Sequence, residues 1–331
     1  MHQLYKNKSS KFLNLISILI TIIFSVLFFV SSNVKTAKVL NIDETEITVS
    51  YNKEELILNN YSNLDLSIGD SVVLDQSNQE YYIEDLYRLS NLKYLIFIFF
   101  CFIIFILGMQ GFQVLASIFM SVGIISFFTL PLISNNFSPV LSCIFSALLL
   151  IPSTFYMTHG VNKKSHLAVL STIITLCVAS AVIYLSTTFV NLTGASSEEA
   201  SFLLFNGNLN LDYSGILFGG LLISLLGILD DITITQTSIV LDLQENTKKN
   251  IFKRAMEIGK DHIASLTNTI FLIYAGTSLP LLLLFYVNAE SIGTILNVEP
   301  IAEEIVRSMI ATFSLILAVP ISTWVAYKFN R

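Results

Sequence analysis

Two adjacent aspartates, Asp230 and Asp231, close a long apolar run in GILDDITITQTSIVLDL, with no basic residue beside them. A carboxylate at membrane depth costs on the order of 3 kcal/mol by insertion scales unless it is solvated, paired or protonated. Three uses fit such a pair: a relay for protons or cations, a polar cluster that holds helices together, or a helix end in headgroup water. Taking up a proton removes the charge, whereas carboxylate, hydroxyl and carbonyl oxygens together suit a hard cation. On a helix, Asp230 shares a face with Thr233 and Thr237, and Asp231 shares another with Thr235, Ser238 and Asp242. The next apolar segment supplies His262, Ser265, Asn268, Thr269 and Tyr274 as partners. Asp230, Asp231, Gln236, Thr237, Asn268 and Tyr274 are therefore the candidate ion- or proton-coupling residues.

Other chemistries are poorly served. Two aspartates that activate one water must come from different helices, because neighbours on one helix diverge by about 100°. His159 and His166 sit seven apart in a lysine-bearing loop, a weak metal spacing. Cys101, Cys143 and Cys177 lie singly in apolar runs and form no ligand pattern. These features predict no enzyme, no cofactor and no metal.

The elements that must hold the aspartates are membrane helices. Of 331 residues, 53% are hydrophobic and only 13% charged, against about 25% charged in soluble domains. Eight apolar blocks are long enough to cross a bilayer or nearly so: 12–31, 92–108, 111–131, 138–158, 167–189, 213–235, 263–287 and 305–327. With a cytoplasmic N-terminus, eight crossings place 12 of the 18 lysines and arginines in the inner segments. That is the positive-inside pattern, with the C-terminus also inside. The net charge of −6 is sorted by side, and nothing points to nucleic acid. Lys6, Lys8 and Lys11 precede the first block, which has no A-x-A site after it and reads as a retained signal anchor.

Residues 34–90 alternate apolar and polar, as in KVLNIDETEITVSY, with turns at Gly69-Asp70 and Ser77-Asn78. Five or so short strands predict a small β-barrel or sandwich outside the membrane. Residues 190–212 predict an outer loop with a short helix. In 244–262, Ile251, Phe252, Ala255, Met256 and Ile258 make a partial apolar face opposite Lys248, Lys249, Lys253 and Arg254, as in a basic helix lying on anionic headgroups. Pro152, Pro280 and Pro320 interrupt apolar blocks, so Gly276, Pro280 and Pro320 are candidate helix-break or gating positions.

Three motifs carry a family resemblance. Gly227, Asp230, Asp231 and Gln236 form G-x-x-DD-x-x-x-x-Q. Gly259, Asn268, Tyr274, Gly276 and Pro280 form a second motif, and Pro320, Thr323 and Ala326 a third. In these the chain resembles the YibE/F-like family of bacterial membrane proteins over about residues 90–328, although its short turn GMQGFQ lacks that family's usual basic residues. The order of elements also resembles SecD/SecF and RND-type membrane domains, as a likeness of arrangement only. The resemblance implies a multi-pass cell-membrane protein of efflux or transport type, with no substrate specified. The expected architecture is an all-α polytopic bundle of about eight transmembrane helices with a small β-rich extracytoplasmic domain. Its parts are 1–33, 34–90 and 91–331. The expected partners are the lipid bilayer, a small solute or ion, and a second copy or related membrane subunit. A non-transporting scaffold whose outer domain recruits a partner is the competing expectation.

Overall fold

The computed structural model describes residues 13–23, 25, 34–43, 46–59, 64–77, 80–205, 211–246, 249–288 and 291–329. The chain divides into two compact units, one spanning Ile16–Leu115 and the other holding Ala116–Arg331. Part of the expected signal anchor, block 12–31, lies outside the described residues; its described part includes helix α1, Leu13–Ile23.

The first unit contains a five-stranded antiparallel sheet: β1 Thr36–Ile42, β2 Glu46–Tyr51, β3 Glu54–Asn59, β4 Ser71–Ser77 and β5 Glu80–Leu86, in the order β3-β2-β1-β4-β5. Alternation in the strands puts Val39, Ile47, Val49, Leu58, Val72, Leu74 and Ile83 into one buried core. In a flat sheet β3 and β5 would stand roughly 19 Å apart, yet they touch. The expected barrel or sandwich is thus a single curled sheet. Register shifts at Val39/Asn41 and Val73/Leu74 tighten its coil. Its β2–β3 turn, Asn52-Lys53, has positive φ at both residues, the conformation a two-residue hairpin needs, and carries no glycine to announce it.

Across the β4–β5 hairpin the Tyr82 hydroxyl donates to Asp75 Oδ2 at 2.7 Å, and the Gln76 N–H donates to Asp75 Oδ1 at 2.8 Å. The Tyr82 hydroxyl first, then the Gln76 amide, hold the Asp75 carboxyl below its ordinary range. A depressed carboxyl stabilises the fold above its unfolded value and loses that contribution as pH falls through the folded value. Tyr82→Phe is therefore expected to move the Asp75 titration upward, read by NMR on the side-chain carboxyl.

Six helices are long and apolar enough to cross a membrane. They are α2 Leu89–Leu107; the run Met109–Ser134; α5 Pro139–His159; α6 Lys163–Val190; α8 Tyr213–Asn246; and α12 Glu299–Phe329. The run Met109–Ser134 joins α3 Met109–Ile124, a π turn Ile125–Thr129 and α4 Leu130–Ser134. A seventh span forms if α9 Ile251–Thr277 and α10 Leu279–Val287 are counted together, bent by 59° at Ser278 before Pro280. The count among the described residues is thus six or seven, and the remaining expected span, 12–31, lies partly outside them. Two short helices complete the chain, α7 Glu198–Phe205 in the link before α8, as expected there, and α11 Ile292–Asn297.

In the second unit α6, α8 and α12 pack mutually, with α5 against α6 and α8 and α9 against α12. The glycines of α8 fall into two groups. An added Cβ at Gly215 or Gly219 would strike Asp212 or Cys143, whereas Gly220 and Gly227 face open space. One part admits α5; the other leaves room.

The basic stretch after α8 forms the first part of α9, continuous with the apolar segment that follows. Its apolar face divides: Ala255 is buried with Val240 of α8 and Ala326 of α12, and Ile251 and Met256 pack against protein, whereas Phe252 and Ile258 are exposed.

Candidate functional site

Helix α8 is 34 residues long, about 51 Å, well beyond a hydrocarbon core of about 30 Å. Its first 17 residues cover about 26 Å, so the aspartates stand near the far end of the apolar part. The polar stripes expected on α8 go to different places. Thr233 and Thr237 are fully buried and Asp230 is partly buried, whereas Asp231 and Asp242 are exposed.

Asp230 borders a cavity of about 200 Å³ enclosed by α3, the π turn, α5, α6 and α8. Its hydrogen-bonding walls are Ser121, Thr154 and Thr172; its apolar walls include Ile125, Phe155 and Leu226. Asp230 Oδ1 is buried and has no hydrogen-bond partner among the described residues. Two lining segments are irregular: Ile125 begins the π turn, and Pro152 lies inside α5 between Ile151 and Thr154. A π turn and a helix proline each break the i→i−4 ladder, and π turns recur at functional sites. Gly227 leaves part of the cavity free by having no Cβ.

Below Asp230, the Thr172 and Thr233 hydroxyls approach to 2.8 Å and join α6 to α8. One turn on, fully buried Gln236 links three helices: its Nε2 donates to Ala255 O of α9 at 2.8 Å and to Thr323 Oγ1 of α12 at 2.7 Å. A Cβ on Gly259 of α9 would sit 3.0 Å from Gln236 Oε1 and collide with Val319. Gly259, Gln236 and Thr323 are thus one contact, shared among the three motifs. Interhelical hydrogen bonds in membranes average about 0.6 kcal/mol and reach about 1.7. A double-mutant cycle with Gln236→Leu and Thr323→Val is expected to give a coupling near 1 kcal/mol in detergent unfolding.

The other sequence candidates lie apart from this cavity. Asp231 is near enough to His159 at the end of α5 to interact electrostatically. Thr237 is buried with its hydroxyl unpartnered. Tyr274 stands beside Ser224 of α8 and within electrostatic reach of Arg307 and Glu304 of α12. There Arg307 binds Glu303 at 2.6 Å and Glu304 at 3.5 Å. Asn268 lines a groove among α6, α9 and α12. Gly276 and Pro280 flank the α9–α10 bend, and Pro320 lies within α12. Ser121, Thr154 and Thr172, which share the Asp230 cavity, were not expected from the sequence. The signal for Thr172 was present in LSTIITLC, where Ser171, Thr172 and Thr175 are all fully buried in an apolar helix.

Long apolar helices packed around a partly buried carboxyl, in a chain that also carries a small antiparallel sheet, define a multi-pass α-helical membrane protein. A family model confirms and narrows this class: residues 95–331 match that of the YibE/F-like proteins, and the chain belongs to that family. No curated protein and no solved structure matches the chain.

Proposed function

We propose that the protein is a cell-membrane transporter, or the membrane subunit of an efflux-type transport complex, in which Asp230 takes up and releases a proton or small cation. The supporting observation is the unpartnered Asp230 Oδ1 facing a hydroxyl-bearing cavity among five helical segments. A packing contact would have paired that oxygen, because an unmatched buried polar group costs about 1–3 kcal/mol. Ser121, Thr154 and Thr172 supply further oxygens for the visitor, while Gln236 and Gly259 fix α8 against α9 and α12. The π turn and Pro152 are the places where the walls can shift without breaking regular helix. In this reading both termini are cytoplasmic, residues 34–90 are extracytoplasmic, and no bond-making chemistry is performed.

The test is infrared spectroscopy of the carboxyl bands in nanodiscs across pH and with added sodium, potassium or calcium. Wild type is expected to show a band that responds to pH or to one cation and disappears in Asp230→Asn. Asp230→Glu should retain part of the response. Carboxyls that titrate as solvated acids and ignore every cation would defeat the proposal.

A further inference from the structure

A groove of about 780 Å³ lies among α6, α9 and α12, away from Asp230. Its walls are mostly bulky and apolar, including Phe271, Met309, Phe313 and Ile316. Set among them are Ser308, whose hydroxyl donates to Ile305 O of its own helix at 2.8 Å, and Ser186, Thr267, Asn268 and Thr312, whose side chains make no hydrogen bond among the described residues. Elsewhere in the bundle, serines and threonines commonly donate to their own helix, as Ser171, Thr175, Ser180 and Ser314 do. An exposed asparagine amide is the costliest of the four, because lipid tails offer it no partner.

We infer that this groove binds a neutral, lipophilic small molecule that enters from the bilayer and places a hydrogen-bonding head group at Asn268 and Thr312. No charged side chain lines the groove, so an ionic head would be left without a counter-charge. A docking helix would call for an unbroken strip of small residues that lets backbones approach, whereas here Ala264, Ser186 and Ser308 are interspersed with Phe271, Met309, Phe313 and Ile316. The volume falls in the range of sites for drug-sized ligands, about 300–1,000 Å³. Such a molecule is the transported class if the Asp230 reading holds, and in that respect the inference rests on it; the binding itself does not.

The probe is hexadecanol bearing a chain diazirine, photolysed with the protein in phosphatidylcholine nanodiscs and mapped by peptide mass spectrometry. Expected are saturable crosslinks on the peptides holding Phe271 and Met309, competed by unlabelled hexadecanol. Asn268→Leu should weaken saturable labelling about tenfold, the worth of one well-made hydrogen bond. Ala264→Phe, which fills the groove from an exposed position, should abolish it. Asp230→Asn should leave it unchanged, so a lost Asp230 band and a lost crosslink are separate failures. Labelling spread evenly over the lipid-facing helices would overturn the inference. So would equal groove labelling by a diazirine alkane that Asn268→Leu does not alter.

Discussion

Asp230→Leu is expected to raise the unfolding temperature of the purified protein while abolishing its response to protons and cations. Asp230 Oδ1 is buried and has no hydrogen-bond partner among the described residues, so that oxygen contributes a desolvation cost with no compensating bond. Insertion scales put an aspartate at helix centre about 3 kcal/mol above a neutral residue. Water in a cavity of about 200 Å³ would recover part of that, leaving a net gain of roughly 1–3 kcal/mol for leucine. Gain of stability with loss of activity is the usual mark of a residue kept for function. Asp231→Leu, on the exposed side of the same helix, should change stability far less. If Asp230→Leu instead unfolds the protein, the carboxyl is holding helices together and the packing alternative gains. Thermal unfolding in one detergent, alongside the infrared titration, reads both halves.

Gly259→Ala is expected to destabilise the bundle, although alanine is by about 1 kcal/mol the better helix former. The added methyl would collide with Val319 and lie 3.0 Å from Gln236 Oε1. Val319 is fully buried and β-branched, so it has few rotamers into which to retreat. Overpacking of this kind costs about 1–3 kcal/mol. Here it would also strain the Gln236 bonds to Ala255 and Thr323. Gly227→Ala and Gly220→Ala are internal controls, since nothing lies within 4 Å of either added methyl. Both should be neutral or stabilising by the propensity term alone. Opposite signs for Gly259 and Gly220 in the same unfolding assay would establish that packing decides at the former.

Gly259 and Gly220 look alike in a single sequence, and that explains much of what was and was not legible. The spans were visible because apolar blocks of membrane length are a local property of the chain. The strands of residues 36–86 were visible through alternation, yet the turn at Asn52-Lys53 was not, since asparagine and lysine reach positive φ without the glycine that usually signals it. The bend at Ser278 was suggested by Pro280. The π turn at Ile125–Thr129 had no such marker, because ISFFT reads like any apolar helix.

The candidate site was half legible. Helical spacing alone separated Asp230, Thr233 and Thr237 from Asp231, Thr235 and Asp242; the structure buries Thr233 and Thr237 fully and Asp230 partly, and leaves Asp231 and Asp242 exposed. It could not say which helix would stand opposite. The neighbour in sequence, α9, was the natural expectation. The cavity beside Asp230 is instead walled by α3, α5 and α6, and Asn268 of α9 turns to a different groove. The amino-acid sequence determined that the chain is a multi-pass membrane protein, carries a β-rich segment, and sets two adjacent aspartates at the end of a long apolar run, because those follow from local composition and periodicity. Only the tertiary structure decided that one carboxyl of the pair reaches a hydroxyl-lined cavity, and that Gln236 joins three helices across Gly259. Contacts between distant segments depend on which helix faces pack together, and helical periodicity fixes the faces but not their partners.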